Sequence, residues 1–220
     1  MMTNMFSIFD PSTSNNYSLN WLVTLVILFL MPMNFWLVPS RLFLIFYSIT
    51  NILYKSLNNS MMKKNNKFFL IIMTLFWYIM LLNLLGLNPY IFTVTSQINM
   101  SSSLSITLWM TISLFMWINN TNYMFTHMVP NGTPMMLANF MVMIETISNF
   151  IRPITLCIRL SANMISGHLL MTLLSNLMVS HTNYFIMIMP ILMIMLILEF
   201  AVAIIQSYVF MLLTMLYLNE

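Results

Sequence analysis

The sequence predicts an all-α polytopic membrane protein, with about five crossings plus an interfacial amphipathic helix and a last pair of helices forming a long, strongly tilted hairpin. Three observations lead there. Of 220 residues, 60% are hydrophobic and 5% charged, with mean hydropathy +0.90, whereas soluble domains carry about 25% charged residues. The apolar residues gather into runs able to span about 30 Å of hydrocarbon, for which ~17–25 helical residues suffice. The last two runs carry no central turn signal and are each too long to stand upright in a bilayer.

Residues 1–20 form a polar lead with Asp10-Pro11 and Ser/Asn runs that favour turns. They contain no Lys or Arg, unlike a secretory signal or an Arg-rich transit peptide, so no cleaved address is expected. Residues 21–38 are uncharged and make the first span, with Pro32 as a tolerated kink. Over 41–57, Leu42, Phe46, Ile49, Leu53 and Leu57 follow helical spacing on one face, while Arg41, Ser48, Asn51 and Lys55 occupy another. That pattern predicts an interfacial amphipathic helix. Arg41, Lys55, Lys63, Lys64 and Lys67 are five of the seven basic residues and all lie between spans one and two. The positive-inside rule then puts the basic loop 39–67 on the matrix or cytoplasmic side and the N-terminus outside.

Residues 68–87 form span two, closed by the turn signal Asn88-Pro89, and an uncharged Ser/Thr-rich loop leads to a shorter span three at 104–118, expected to be lengthened by a few polar residues at one end. Asn119 to Asn122, His127, Pro130, Asn131 and Gly132 read as a return loop, and Thr133-Pro134 as an N-cap with a first-turn proline. Helices are expected over 134–178 and 184–218, joined by a turn over Ser180 to Asn183. At 1.5 Å per residue these run about 65 and 50 Å, so tilt or kinking must absorb the mismatch. Ser161, Ala162, Ser166 and Gly167 on the first, with Ala201 and Ala203 on the second, allow close approach. No repeat or linker divides the chain, so 1–220 is expected to be one membrane domain.

Composition narrows the partners. A net charge of +3 spread over the chain gives no nucleic-acid footprint. The single cysteine, Cys157, excludes an internal disulfide and reads as a small core residue. Many methionines (27) beside three glycines fit an AT-rich genome that reads an extra codon as Met, and so organellar synthesis.

The chemistry concentrates in residues 145–168, ETISNFIRPITLCIRLSANMISGH, where one acid, two arginines and a histidine lie in an apolar segment. Each charge brought to mid-bilayer costs roughly 2.5–3.5 kcal/mol even on a lenient insertion scale. Glu145, Arg152 and Arg159 recur every seven residues and stack on one helix face with a drift of about 20° per step, while His168 points to the opposite side. Arg159 keeps its proton under ordinary conditions, so it can act only as a fixed positive charge opposite a carboxylate. Neutralisation by Glu145 or snorkelling is the plainer alternative, though awkward so deep in an apolar helix. Glu145, Glu199 and His168 are the groups able to exchange protons, and Gln206 lies seven residues past Glu199 on the same face with Ala203 between. Any one of them could be a satisfied internal polar group. Arg152, beside Pro153, reads as a partner of Glu145 or Asn149, and His127 and His181 as ordinary loop residues. Phosphate loops, zinc sites and nucleophile elbows are absent, and three histidines, two of them in loops, make a two-haem centre a poor fit. No cofactor or metal is expected.

The strings NLLGLNPYIFT (83–93), HMVPNGTP (127–134), ETISNFIRPITLCIRLSANMISGHLL (145–170) and LEFAVAIIQSYVFMLLTMLYL (198–218) resemble subunit a of the F-type (F1Fo) rotary ATP synthase in its animal mitochondrial form. The resemblance covers the chain from about residue 20. Its most specific part is Arg-Leu-x-Ala-Asn-x-x-x-Gly-His, met by Arg159, Leu160, Ala162, Asn163, Gly167 and His168. It implies a non-catalytic stator subunit of the mitochondrial inner membrane, lying against a ring of c subunits and among other membrane and peripheral-stalk subunits. Two aqueous half-channels would reach a ring carboxylate from opposite sides, with Arg159 separating them. By the same resemblance His168, Glu199, Asn163 and Gln206 belong to the intermembrane-space half-channel and Glu145 to the matrix exit. Arg152 departs from forms with glutamine there and receives no essential role.

Two other classes stay open on the residues alone. A secondary transporter also keeps ionisable groups mid-membrane, but such folds show internal repeats and Gly/Pro-broken helices near the midplane. A purely structural subunit would tolerate neutralisation of Arg159 and Glu199.

Overall fold

The computed structural model describes residues 5–14, 17–31, 37–60, 68–88, 90–119, 121–129, 134, 137–180 and 185–219. Among them are seven α-helices and no strand: α1 Val23–Leu30, α2 Arg41–Ser60, α3 Phe69–Gly86, α4 Ile98–Asn119, α5 Thr121–His127, α6 Ala138–Ser180 and α7 Phe185–Asn219. Four of these, α3, α4, α6 and α7, are long and apolar enough to cross a membrane, and a shorter apolar helical segment spans Leu19–Leu30. The chain is an all-α polytopic membrane protein.

Helix α3 packs on α7, α4 on α6, and α6 on α7, so the two longest helices fold back on each other in front of α3 and α4. One apolar cluster joins Leu57 of α2, Phe76 and Trp77 of α3, Ile112 of α4, and Met211 and Met215 of α7. A second joins Ile79, Leu108, Leu156, Leu160 and Phe210, tying α3, α4, α6 and α7 together where the hairpin crosses its support. Helix α6 runs unbroken through Pro153 and α7 through Pro190. Each proline removes one amide donor, a loss that long, well-packed membrane helices tolerate.

Several boundaries differ from the sequence expectations. Helix α4 begins at Ile98, six residues before the start inferred from hydropathy at 104. The reason is that the Ser/Thr hydroxyls satisfy themselves inside the helix: Ser101, Ser102 and Ser103 donate to the carbonyls of Ile98, Asn99 and Met100 at 2.8–3.1 Å. A serine whose hydroxyl bonds its own helix no longer needs water, so the polar residues before 104 lengthen the span at this end. The return loop contains a further helix, α5. Helix α6 starts at Ala138 rather than at Pro134, whose carbonyl instead accepts a turn hydrogen bond from the Leu137 amide at 3.0 Å. Helix α2 divides its apolar face: Phe46, Leu53 and Leu57 pack against α3 and α7, while Leu42 (76% exposed) and Ile49 (37%) point away. Pro32, Lys63, Lys64, Lys67, Pro89, Pro130 to Thr133 and the turn at 181–183 lie outside the described residues.

Candidate functional site at the α6–α7 crossing

Helix α6 has two faces with different duties. Pro153, Leu156, Cys157, Leu160, Ser161 and Met164 are buried at helical spacing, which fixes that face against α4 and α7. Ser101 of α4 meets it with its Oγ 3.3 Å from Cys157 Sγ. Arg159 sits off this face and is exposed, with Thr155, Ile158, Ala162, Asn163 and Ser166 also exposed around it. A permanent cation is therefore displayed on the outer surface of the hairpin among small and weakly polar side chains.

Helix α7 turns Glu199, Ala203, Gln206, Ser207 and Phe210 inward, at the three- and four-residue steps of one helix face. Glu199 is only 8% exposed. Its carboxyl lies directly over Gly167: a Cβ built at that glycine would stand 2.7 Å from Glu199 Oε1. Here glycine is required for close approach. Seven residues on, Gln206 Oε1 accepts a 2.7 Å hydrogen bond from Asn163 Nδ2, a second polar link between the helices. Glu199 Oε1 and His168 Nε2 are both buried and have no hydrogen-bond partner among the described residues. A buried polar atom without a partner costs about 1–3 kcal/mol, so its survival here calls for a functional reason.

The sequence places this architecture among known proteins. The family described as ATP synthase A chain matches residues 17–219. Over its full length the chain is 50% identical to ATP synthase subunit a of Anopheles gambiae, 50% to that of Locusta migratoria and 48% to that of Drosophila melanogaster, spanning 99% of each relative. The chain belongs to the ATP synthase A chain family. As a member it is a membrane subunit of the ATP synthase complex.

In this A chain the remaining residues singled out by sequence fall into separate places. Glu145 and Arg152, each about a quarter exposed, approach one another at 4.0 Å, and the Arg152 guanidinium lies 5.2 Å from the centroid of the Tyr217 ring. Helix α6 thus carries Arg152 tied to its neighbours and Arg159 displayed outward. Helix α5 ends at His127, whose side chain is outside the described set, as is His181. No cluster of three or more His, Cys, Asp or Glu suited to a metal occurs among the described residues.

Sequence reasoning gave no role to Asn83. It is 0% exposed in α3, its Nδ2 reaches the Ala203 carbonyl of α7 at 3.5 Å, and its Oδ1 has no partner among the described residues. The signal was present: it is a lone amide inside the apolar run of span two. Thr93, Thr95 and Ser96 between α3 and α4 are likewise buried, and Ser96 Oγ donates to the Thr93 carbonyl at 2.6 Å.

Proposed function

We propose that this chain is the proton-conducting stator subunit of a rotary ATP synthase, forming two offset half-channels to a carboxylate on a c-subunit ring, with Arg159 keeping them apart. The observation that carries this reading is the division of α6: Arg159 stands exposed on the outer face while the Glu199 carboxyl and the His168 imidazole are drawn inward. A fixed cation on the ring-facing surface would hold the ring carboxylate deprotonated as it passes. The inward groups, left without protein partners, would receive protons from water entering between the helices.

In this reading Glu199, His168, Asn163 and Gln206 line the intermembrane-space access route and Glu145 the matrix exit. The subunit lies in the mitochondrial inner membrane, N-terminus in the intermembrane space and basic loop 39–67 in the matrix. It contributes no catalytic group to ATP chemistry, which belongs to other subunits of the complex, and peripheral-stalk and other membrane subunits hold it against the ring. Helix α6, with 43 residues, is about 65 Å long and must tilt strongly to stay within the bilayer. That tilt would lay a long stretch of the hairpin along the ring.

Each proton crossing about 100 mV releases roughly 2.3 kcal/mol, which a direct leak past Arg159 would dissipate. Arg159→Ala should abolish proton-driven ATP synthesis and ATP-driven pumping. Because the side chain is exposed, its removal leaves no cavity, and the assembled complex should be recovered in normal amount. Normal synthesis by that variant in inverted vesicles would sink the proposal.

A further inference from the structure

Helix α2 is 20 residues long but is not among the helices apolar enough to cross a membrane. It displays apolar and basic side chains together: Leu42 and Ile52 are 76% and 68% exposed, and Arg41 and Lys55 are exposed as well. A helix of that kind settles at the boundary between lipid headgroups and acyl chains. Two aromatic contacts clasp it to α3. Phe46 stacks on Trp77 with ring centroids 3.9 Å apart, and Tyr54 meets Phe69 edge-on at 4.7 Å. Phe46 and Tyr54 are separated by about 12 Å along α2, and Trp77 and Phe69 by the same distance along α3. The helices therefore run antiparallel here, and a groove remains between the clasps.

That groove has a volume of about 370 Å³, and Leu70 and Met73 line it with the four rings. Thr50 and Thr74 also border it, but their hydroxyls donate to the carbonyls of Tyr47 and Ile71 in their own helices at 2.8 and 2.9 Å. Asn51 and Tyr54 differ from them. Both border the groove, and neither the Asn51 side-chain amide nor the Tyr54 hydroxyl forms a hydrogen bond with a described residue. Lys55, four residues on from Asn51, is its neighbour on the same face of α2.

These features select the occupant. Its body must be apolar, to match the rings and Leu70, and its polar end must offer acceptor oxygens to Asn51 and Tyr54. Its charge must be negative. Residues 41–67 hold Arg41, Lys55, Lys63, Lys64 and Lys67 and no acid, so the segment cannot neutralise itself. Such a basic cluster on and beside an amphipathic helix attracts anionic lipid. A helix from another subunit fits the space poorly: at 10–12 Å across and 5.4 Å per turn, one turn fills roughly 400–600 Å³.

We propose that this groove seats an acyl chain of an anionic phospholipid, whose ester and phosphate oxygens accept hydrogen bonds from Asn51, Tyr54 and Lys55. The site stands on the groove and on the charge of segment 41–67, independently of the proton path proposed above.

The test is photolabelling of the intact ATP synthase complex in phosphatidylcholine nanodiscs. The probes are a phosphatidylglycerol with a mid-chain diazirine and, as the zwitterionic control, a phosphatidylcholine bearing the same chain. Phosphatidylglycerol should label peptides containing Leu70 or Met73, and unlabelled phosphatidylglycerol should compete. The phosphatidylcholine probe should label at least fivefold less. Lys55→Gln should lower labelling by the anionic probe about fivefold, the effect of one basic residue at a membrane surface, while Lys55→Arg should label like the parent chain. Thr74→Trp, at an exposed position, fills the groove with Lys55 in place and should abolish labelling. Equal labelling by the two lipids, undiminished labelling of Lys55→Gln, or labelling that persists in Thr74→Trp overturns the proposal. So does the absence of competable labelling at these peptides, which would mean that a neighbouring subunit covers the groove.

Discussion

The Glu199 carboxyl rests on Gly167 so closely that a Cβ there would lie 2.7 Å from Oε1 and 2.9 Å from Cδ. The atoms that must move are the carboxyl itself, so a substitution at this glycine acts on Glu199 before it acts on the backbone. Gly167→Ala should displace the carboxyl at a cost of about 1–3 kcal/mol, the usual range for overpacking, and lower the rate of ATP-driven proton pumping several-fold. Glu199→Asp in the same chain, shorter by one methylene, should recover part of the lost rate. Pumping by Gly167→Ala at the unaltered rate would show that Glu199 takes no part in the rate-setting step.

Asn163 and Gln206 provide the cleanest energetic link between α6 and α7. Their 2.7 Å bond joins two amides at a partly buried position. Interhelical hydrogen bonds of this kind in membranes average about 0.6 kcal/mol and reach about 1.7. A double-mutant cycle with Asn163→Leu and Gln206→Leu, read from thermal dissociation of the complex, should therefore give a coupling of roughly 0.5–1.5 kcal/mol. A coupling of zero would mean that the two amides do not hold each other in the assembled enzyme.

How much of this could be read beforehand depends on what kind of information each feature uses. The long apolar helices are visible in the sequence because length and hydropathy are properties of one segment. Glu199 and Gln206 share a face for the same reason: a seven-residue step is a local fact about one helix. The contact of Glu199 with Gly167 is different, since it depends on the rotation and offset of α7 against α6, which no single segment encodes. The motif did mark Gly167 as small, but not what it makes room for. Hydropathy alone did not fix how far polar residues extend α4 at its start, where serines bond their own helix, and it gave no partner for Asn83, whose contact is the backbone of another helix.

Trp77 anchors the amphipathic helix. Its ring stacks on Phe46 of α2 with centroids 3.9 Å apart, in the cluster that also holds Leu57, Met211 and Met215. Trp77→Ala should destabilise the fold by about 3 kcal/mol, the low end of Trp→Ala losses, because lipid tails can refill part of the space. The visible result should be faster protease cleavage within α2. Trp77→Phe keeps the stacking and removes a buried indole N–H that has no partner among the described residues, so it should cost less than about 1 kcal/mol. If both variants were cleaved like the parent chain, packing against Trp77 would not be what holds α2.

Asn83 separates hydrogen bonding from space filling. Its bond to the Ala203 carbonyl is long, at 3.5 Å, and its Oδ1 is buried without a partner among the described residues, so little net stabilisation is expected from the amide itself. Asn83→Leu, of similar size, should change the stability of the complex by under about 1 kcal/mol. Asn83→Ala leaves a void at a position with 0% exposure, where α3 supports the segment of α7 between Glu199 and Gln206, and should cost about 2 kcal/mol. Thermal dissociation of the complex checks the order. If leucine proved as damaging as alanine, the amide and not its volume would be what α7 requires, and Asn83 would join the polar groups that serve the inward face of the hairpin.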